Sequence, residues 1–504
     1  MTASIFRNNM MELDKSQSKS YNQILKTTAV FGSVKIFSVL IGLFKAKIIA
    51  IFLGPAGMGI FNLINYPVTL FSQFSGLGIS TSGIREVAQA QDERQLAEIA
   101  EVIKYWNRTL GVIGSLILFA LAPWVSELSF GNDSYAWAFQ ILSVVVFLTN
   151  LSSEYEVLLR GRRETKLVAK AGFYSSLAGF ITSIPFYYAF GTAGIVVVIL
   201  ITAITFAGAN YLYARKLNIQ LTGLPYCEIF KRGKNLILIG FFIVLGDLIF
   251  VSVITAVNTY IRSKGGVEDV GYFQACMQIT QSSINIVLMS MAADYYPRLS
   301  GLQGKSKETS IVASQQAEIA TLLCTPVVCS LIVFAPLVIK ILLTSDFIVV
   351  KEAICWFIVG SIFRLPSWAM NFVVLANGKT KLYVALILTN NILLFPLYCI
   401  GYYYGGLIGL GLSFLCLTIL YSIIQNIVIK RVLNVSFSVE FWKTYSIGVI
   451  LSLMSMFSLL NANPIIKCII VVVILTCAFL YAFYYLERKT AFVSKVFAKI
   501  SIKK

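Results

Sequence analysis

Five charged side chains lie inside stretches of this 504-residue sequence that are otherwise almost wholly apolar. The cations are Lys35, Lys45, Lys47 and Arg364, and the acid nearest the middle of such a stretch is Asp247. A charge deep in an apolar helix costs at least about 2.5–3.5 kcal/mol, so it usually faces a watery cavity or a partner. Lysine and arginine pair well with phosphate groups, arginine in a bidentate fork. The set therefore predicts a site for a phosphorylated anion, with Asp247 as a coupling group or charge partner.

Each of these charges also has a plainer interpretation. Lys47 lies about 6 residues from the predicted outer end of its helix and could extend its side chain to the interface. Arg364 could form a fixed internal salt bridge. Asp247 could bind a coupling ion, or it could pair structurally with Lys35 or Arg364. These alternatives stay open at the level of the sequence.

Lys45 and Lys47 cannot both face one cavity if their helix is unbroken, because two residues along an α-helix turn by about 200°. One ammonium group should line a cleft, and the other should contact a neighbouring helix or the interface. Pro366 follows Arg364 by two residues and predicts a kink that would aim the guanidinium.

The composition indicates which elements position these charges. Hydrophobic residues make up 58% of the chain, charged residues make up 13%, and the mean hydropathy is +0.80. Apolar runs of about 20 residues, the length that crosses a bilayer, recur from end to end. We therefore predict an all-α polytopic membrane protein with about 14 spans, at 28–53, 58–83, 107–129, 136–159, 171–190, 194–214, 235–260, 272–295, 313–343, 353–376, 384–404, 406–429, 445–461 and 465–486.

An internal repeat groups these spans. Ala56–Ile64 resembles Glu268–Cys276 at an offset of 212 residues, and Ala122–Asp133 resembles Ala335–Asp346 at 213. A Thr-Lys-Leu triplet and a pair of glycine turns follow at about the same offset. Six spans in each half give the two halves one orientation in the membrane. We predict a cytoplasmic segment (1–27), an N-lobe (28–232), a C-lobe (233–432), and an extra helix pair with a basic tail (433–504).

The net charge of +18 follows the predicted topology. If the N-terminus is cytoplasmic, about three quarters of the 41 lysines and arginines lie on the inner side. The outer side carries five, at Arg262, Lys264, Lys340, Lys351 and Lys467. This bias predicts that both termini are cytoplasmic and that the excess charge serves membrane lipids rather than nucleic acid. The polar first 27 residues lead us to expect no cleaved signal peptide.

The sequence disfavours an enzyme. It contains no histidine, which removes histidine-based acid–base catalysis and histidine-ligated metals. Its nine cysteines show no paired metal spacing, so we predict no metal and no cofactor. The longest predicted inner loops have only about 20 residues, too few for the large polar catalytic loop typical of a membrane glycosyltransferase or polymerase.

Three segments resemble the O-antigen translocase family, which are bacterial flippases for lipid-linked saccharides in the polysaccharide-transporter branch of the MATE/multidrug–oligosaccharidyl-lipid–polysaccharide superfamily. The segments are LGPAGMGIFNL after the first span, DVGYFQACMQI…YYPRLSGL in spans 7 and 8, and LLTSDF…CWFIVGSIFRLPSWAMNFVVLANGKTKLY around span 10. The resemblance covers roughly residues 25–430 and is weakest in the last helix pair.

The resemblance implies a MATE-like fold with a lateral portal and a location in the bacterial inner membrane. It implies an undecaprenyl-pyrophosphate-linked oligosaccharide as the substrate, moved to the periplasmic leaflet by alternating access, with H⁺ or Na⁺ coupling left open. A polysaccharide polymerase and chain-length machinery are its expected partners. Lys47 matches a family lysine seven residues before Gly-Pro, which favours Lys47 over Lys45 for the cavity. The alternative is a cation-coupled multidrug exporter, which would need acids in its cavity.

The predicted topology can be tested by cysteine labelling from the periplasm in a variant without the nine native cysteines. We expect labelling at Asn132→Cys and Gly266→Cys but not at Gly161→Cys, because basic residues surround Gly161 and keep it cytoplasmic. Periplasmic labelling of Gly161→Cys would overturn the topology.

Overall fold

The computed structural model of the protein describes residues 40–219, 222–459 and 464–490, and every regular element in these ranges is helical. The α-helices are α1 (Leu40–Gly76), α2 (Ile79–Gln89), α3 (Glu93–Phe130), α4 (Ala136–Gly161), α5 (Thr165–Phe190), α6 (Gly194–Ala214), α7 (Tyr226–Gly265), α8 (Val267–Ser300), α9 (Ser306–Val333), α10 (Ala335–Leu342), α11 (Lys351–Phe363), α12 (Leu365–Ala376), α13 (Thr380–Leu433), α14 (Val439–Ser458) and α15 (Pro464–Thr490). Short 3₁₀ turns follow α5, α6 and α10. The predicted all-α class is confirmed.

Eight helical segments in the described ranges are long and apolar enough to cross a membrane. Three of the eight contain a glycine with a positive φ: Gly54 in α1, Gly191 between α5 and α6, and Gly406 in α13. Only glycine takes this conformation without a steric penalty, so each glycine ends one straight helix and starts the next. All three lie at predicted turns between spans, while the total of fourteen spans stays a prediction.

The break at Gly54 folds α1 back on itself. Lys45 and Asn65 line the same cavity, although 20 residues of straight helix would place them about 30 Å apart. The two parts of α1 are therefore antiparallel arms joined at Gly54. This hairpin places Lys45 and the polar residues of the second arm side by side.

The predicted repeat is also present in the backbone. Residues with positive φ recur in pairs 212 to 216 positions apart: Gly54 with Gly266, Arg163 with Gly378, Gly191 with Gly406, and Asn218 with Asn434. The pair Gly191 and Gly406 also share ψ, at −130° and −135°. Two halves with the same turns at the same places have the same chain path. The exact bounds of the two lobes stay a prediction.

The helices of each half pack among themselves, and α7 contacts helices of both halves. In the first half α4 packs against α2, α3 and α6, and α5 packs against α6. In the second half α13 packs against α11 and α12. The long helix α7 lies on α13 and also contacts α2 and α3. The last pair, α14 and α15, packs on α9, outside the repeated set.

Two glycines fix how closely the halves approach each other. A Cβ on Gly59 would lie 2.0 Å from the backbone oxygen of Val267, and a Cβ on Gly271 would lie 2.0 Å from that of Pro55. Both the glycines and the residues they touch are 212 positions apart, so each half packs on the turn of the other in the same way. Only hydrogen in place of a side chain allows this contact.

Substitution of either glycine tests the close contact. Gly59→Ala and Gly271→Ala should each destabilise the protein by about 1–3 kcal/mol, because the new methyl group meets rigid backbone. The measurement is thermal unfolding of the purified protein. Gly208→Ala is the matched control, since it lies in α6 with nothing within 4 Å and should be neutral or slightly stabilising. Equal melting of all three variants would contradict the close packing.

Candidate functional site

Lys45 lines a cavity of about 500 Å³ in the first half of the chain. The walls come from both arms of α1 and from α4, α5 and α6, and Val244 of α7 contributes to the lining. Apolar side chains form much of the wall, and neutral polar side chains are set among them: Asn65, Thr69, Ser72, Gln73, Ser80, Thr149, Asn150, Ser153, Ser175, Ser183 and Thr202. The cavity therefore offers many hydrogen-bonding groups around one fixed positive charge.

The surroundings of Lys45 leave its ammonium group available to a ligand. A Cβ on Gly179 would lie 2.9 Å from Lys45 Nζ and 2.4 Å from Thr202 Oγ1, so the ammonium passes over a glycine of α5. No aspartate or glutamate is among the described residues that line the cavity. The buried Oε1 of Gln73 has no hydrogen-bond partner in the described structure. A cation without a carboxylate, in a cavity that also holds an unsatisfied amide, favours an anionic ligand that also carries hydroxyl groups.

Lys47, which the family match favoured for the cavity, does not line this one. Its Nζ donates to the backbone oxygen of Lys340 at 2.8 Å and to that of Leu343, at the end of α10 in the other half. The last carbonyls of a helix carry partial negative charge and have no partner within the helix. Lys47 satisfies them, while Lys45, turned by about 200°, enters the cavity. The expectation that the two point in opposite directions agrees with this arrangement.

Arg364 and Asp247 line a second, smaller cavity of about 280 Å³ in the other half. The helix is interrupted at Arg364, since α11 ends at Phe363 and α12 begins at Leu365 with Pro366 in its first turn. The predicted break is thus present. Among the described residues, Arg364 forms no salt bridge with Asp247 or with any other carboxylate.

The second cavity also holds unsatisfied polar atoms. Ser367 Oγ and Asn391 Oδ1 are buried and have no partner in the described part of the chain. Asp247 and Arg364 share this site, but Lys45 does not join them. Lys35 lies outside the described residues. The four predicted charges that the structure describes are therefore divided between two cavities and one helix end rather than collected in one cleft.

The neutral polar side chains of the first cavity were not among the predicted site residues. A signal was present, because Asn65, Thr69, Ser72, Gln73 and Gly76 follow one another at helical spacing along one face of an apolar span. Such a stripe marks the side of a transmembrane helix that faces polar groups or water.

Two cationic side chains form hydrogen bonds from one half to the other. They lie at the end of the molecule that carries Gly54 and Gly266, here called the Gly54 face. Lys47 of the first half binds the end of α10, as described above. Arg262 of the second half donates from Nε to Ser129 O at 3.0 Å and from Nη2 to Leu128 O at 2.9 Å, at the end of α3. We call these the crossed cation contacts. Each one pairs a cation of one half with a helix end of the other.

A polar chain lies beneath the crossed cation contacts. Tyr66 of α1 donates to Gln274 Oε1 of α8 at 3.3 Å, and Gln274 donates in turn to Asn258 of α7 at 2.8 Å. Gln278 donates to the backbone oxygen of Gly42 at 3.2 Å. With the glycine contacts at Gly59 and Gly271, these bonds close the seam between the halves at the Gly54 face.

Comparisons with known proteins agree with this architecture. The lipid III flippase of Escherichia coli (strain K12) is 21% identical over 356 residues, which cover 68% of this chain and 83% of that protein. A solved structure of the lipid II flippase MurJ in an inward closed conformation aligns with a TM-score of 0.72 at 15% identity, over 91% of this chain and 99% of that one. An inward-facing MATE-family multidrug transporter aligns with a TM-score of 0.65 at 16% identity, over 78% and 92%.

The structural likenesses establish the fold, which is that of MATE-like transporters of the MOP superfamily. The sequence likeness to polysaccharide-pathway flippases is confirmed by a family model that covers more than half of the chain. Residues 48–352 match the model described as polysaccharide biosynthesis protein, and the chain therefore belongs to that family of multi-pass membrane proteins.

Proposed function

We propose that this protein is a flippase that moves an undecaprenyl-pyrophosphate-linked oligosaccharide of the O-antigen repeat-unit type across the bacterial inner membrane. One observation carries the proposal: Lys45 stands in a polar cavity whose described lining contains no carboxylate. In this proposal no bond is made or broken, so the protein is not an enzyme. The printed names of its relatives, lipid III and lipid II flippases, support a lipid-linked substrate.

The chemistry of the ligand matches the cavity in three parts. The pyrophosphate is a dense anion, and Lys45 supplies a positive charge with no competing acid. The sugar hydroxyls need hydrogen-bonding partners, which the serine, threonine and asparagine side chains provide. The polyprenyl tail needs no polar group and can remain in lipid. Arg364 lies in the other half and could receive the anion later in the cycle through its guanidinium fork.

Alternating access requires the halves to separate on one side while they stay together on the other. The crossed cation contacts and the glycine seam supply a closure at the Gly54 face. A cation on helix-end carbonyls contributes about 0.3–2 kcal/mol. Two such contacts are strong enough to favour closure and weak enough to break in each cycle. We propose that they form the periplasmic gate, with both termini cytoplasmic and transport directed outward.

We also propose that the halves act as the lobes 28–232 and 233–432, with 433–504 as an accessory pair and tail. A polysaccharide polymerase and chain-length machinery would take the flipped product on the periplasmic side.

A cation-coupled exporter is the second candidate, and Asp247 is the observation that favours it. Asp247 lines the second cavity with Gln281 and Asn390, which are neutral oxygen-bearing groups. A carboxylate there can bind a proton or Na⁺, and it can also serve a flippase as its coupling group. The two candidates therefore differ in the first cavity, where an exporter of cations would need an acid and this chain has Lys45.

Substitution of Lys45 tests the proposed anion site. Lys45→Ala should reduce flipping by about 10- to 150-fold, which corresponds to the 1.5–3 kcal/mol of a charge-assisted hydrogen bond. Lys45→Glu should reduce it further because repulsion is added. Gly179→Ala keeps the charge but crowds the ammonium group, so its loss should be smaller. The measurement is surface polysaccharide in a flippase-deficient strain, normalised to protein in the membrane.

Lys351→Ala is the control, because Lys351 is exposed and outside both cavities. Arg364→Lys should retain more activity than Arg364→Ala if the guanidinium contacts the anion. Normal polysaccharide from Lys45→Ala would remove the electrostatic mechanism. Absence of flipping by the unaltered protein, combined with drug efflux that depends on Asp247, would support the exporter instead.

The gate can be tested separately from substrate binding. Asn62→Cys, in a variant without native cysteines, places a thiol in the seam between α1 and α7. Lys47→Gln and Arg262→Gln should each raise its labelling rate about 3- to 10-fold, because each removes one crossed contact of about 1 kcal/mol. The double variant should show the product of the two effects, since the contacts share no residue.

Lys351→Gln, an equal change of charge on the same predicted side, should leave the labelling rate unchanged. If neither Lys47→Gln nor Arg262→Gln alters labelling of Asn62→Cys, the crossed cation contacts do not hold the seam closed and the proposed gate is wrong.

A further inference from the structure

A third cavity, of about 520 Å³, opens away from the Gly54 face and outside the cleft between the halves. Its walls are α3, α4 and the end of α6 with the turn that follows. Three cations line it: Lys104 and Arg108 on α3, one helical turn apart, and Arg215 after α6. The proposed function does not use this cavity.

One of the three cations is neutralised and two are not. Arg108 donates to both oxygens of the buried Glu154, from Nε at 3.0 Å and from Nη2 at 3.1 Å. Within the described residues, Lys104 and Arg215 form no salt bridge and their side chains donate no hydrogen bond. The Arg108–Glu154 pair fixes one wall, and Lys104 and Arg215 line the cavity without a salt bridge in the described residues, although Lys104 also lies within electrostatic range of Glu154.

The repeat shows what the same surface does in the other half. At the offset of 213 residues, Lys104 and Arg108 of α3 correspond to Ala317 and Thr321 of α9. Helix α14 packs on that surface, where a Cβ on its Gly448 would lie 3.1 Å from Thr321 Cγ2. Small side chains thus admit a helix in the second half. In the first half two unpaired cations stand in the same groove, and they disfavour an apolar helix there.

The depth of the cavity identifies the occupant. Residues 93–108 of α3 are rich in charged side chains, and the apolar part of the helix follows Arg108 directly. The cavity therefore lies where lipid headgroups meet hydrocarbon. Basic pockets between helices at this level are suited to phosphate-bearing headgroups. We propose that this cavity binds the phosphodiester headgroup of an anionic membrane lipid, with Lys104 and Arg215 as its ligands and Arg108 as the group that shapes the wall.

Native mass spectrometry of the purified full-length protein tests the site, with phosphatidylglycerol as the probe and phosphatidylcholine as the neutral comparison. The double variant Lys104→Gln/Arg215→Gln should bind phosphatidylglycerol roughly 30-fold more weakly, from a loss of about 5-fold for each cation near a headgroup. Binding of phosphatidylcholine should not change. Lys231→Gln/Lys234→Gln is the matched control, since both lysines are exposed at the start of α7 and lie outside the cavity.

A second arm separates a lipid from a soluble anion. Inorganic phosphate added to protein in phosphatidylcholine should bind no more tightly to the parent than to the double variant. Phosphate binding that is strong in the parent and lost in the variant would overturn the lipid assignment. Equal loss of phosphatidylglycerol in both double variants would overturn the site itself. Because neither readout measures flipping, these results stand apart from the test of the proposed function.

Discussion

A positive charge among apolar helices is unfavourable unless polar groups surround it, and much of this structure depends on that constraint. The described cations among these helices are accommodated in three ways. Lys45 lies in a cavity of hydroxyl and amide groups, Lys47 and Arg262 satisfy helix-end carbonyls of the opposite half, and Arg364 stands at a break between two short helices. Backbone carbonyls compensate Lys47 and Arg262, whereas a glycine gives Lys45 room and a proline follows Arg364. Charge placement and chain path are therefore determined together.

The internal duplication determines how the two halves contact each other at the Gly54 face. Because both halves turn at equivalent glycines, the same face of each half meets the other, and the contacts of Gly59 and Gly271 are counterparts. Lys47 of the first half binds a helix end of the second, and Arg262 of the second half binds a helix end of the first. The two cavities beneath the seam have different chemistry, positive and uncharged-polar in one half and mixed in the other. The glycine contacts at the seam are equivalent in the two halves, whereas the residues that line the two cavities differ.

The sequence was sufficient for the helical class, the repeat and the main turns, because hydropathy and glycine positions are local properties. It also predicted the break at Arg364 from Pro366, and the opposite directions of Lys45 and Lys47 from helical geometry. It could not decide which lysine faces the cavity, since that depends on how α1 is rotated against α5 and α10. The comparison with a family lysine favoured Lys47, and the packing of α1 reverses the choice.

The crossed cation contacts have an evolutionary consequence. Lys47 and Arg262 bind main-chain oxygens of Lys340, Leu343, Leu128 and Ser129, and every residue type carries that oxygen. Substitutions at these four positions leave the acceptor in place, so they require no compensating change at Lys47 or Arg262. Correlated substitution arises where two side chains depend on each other. These links between the halves therefore leave no covariation signal, and side chains at the ends of α3 and α10 can change while the crossed cation contacts persist.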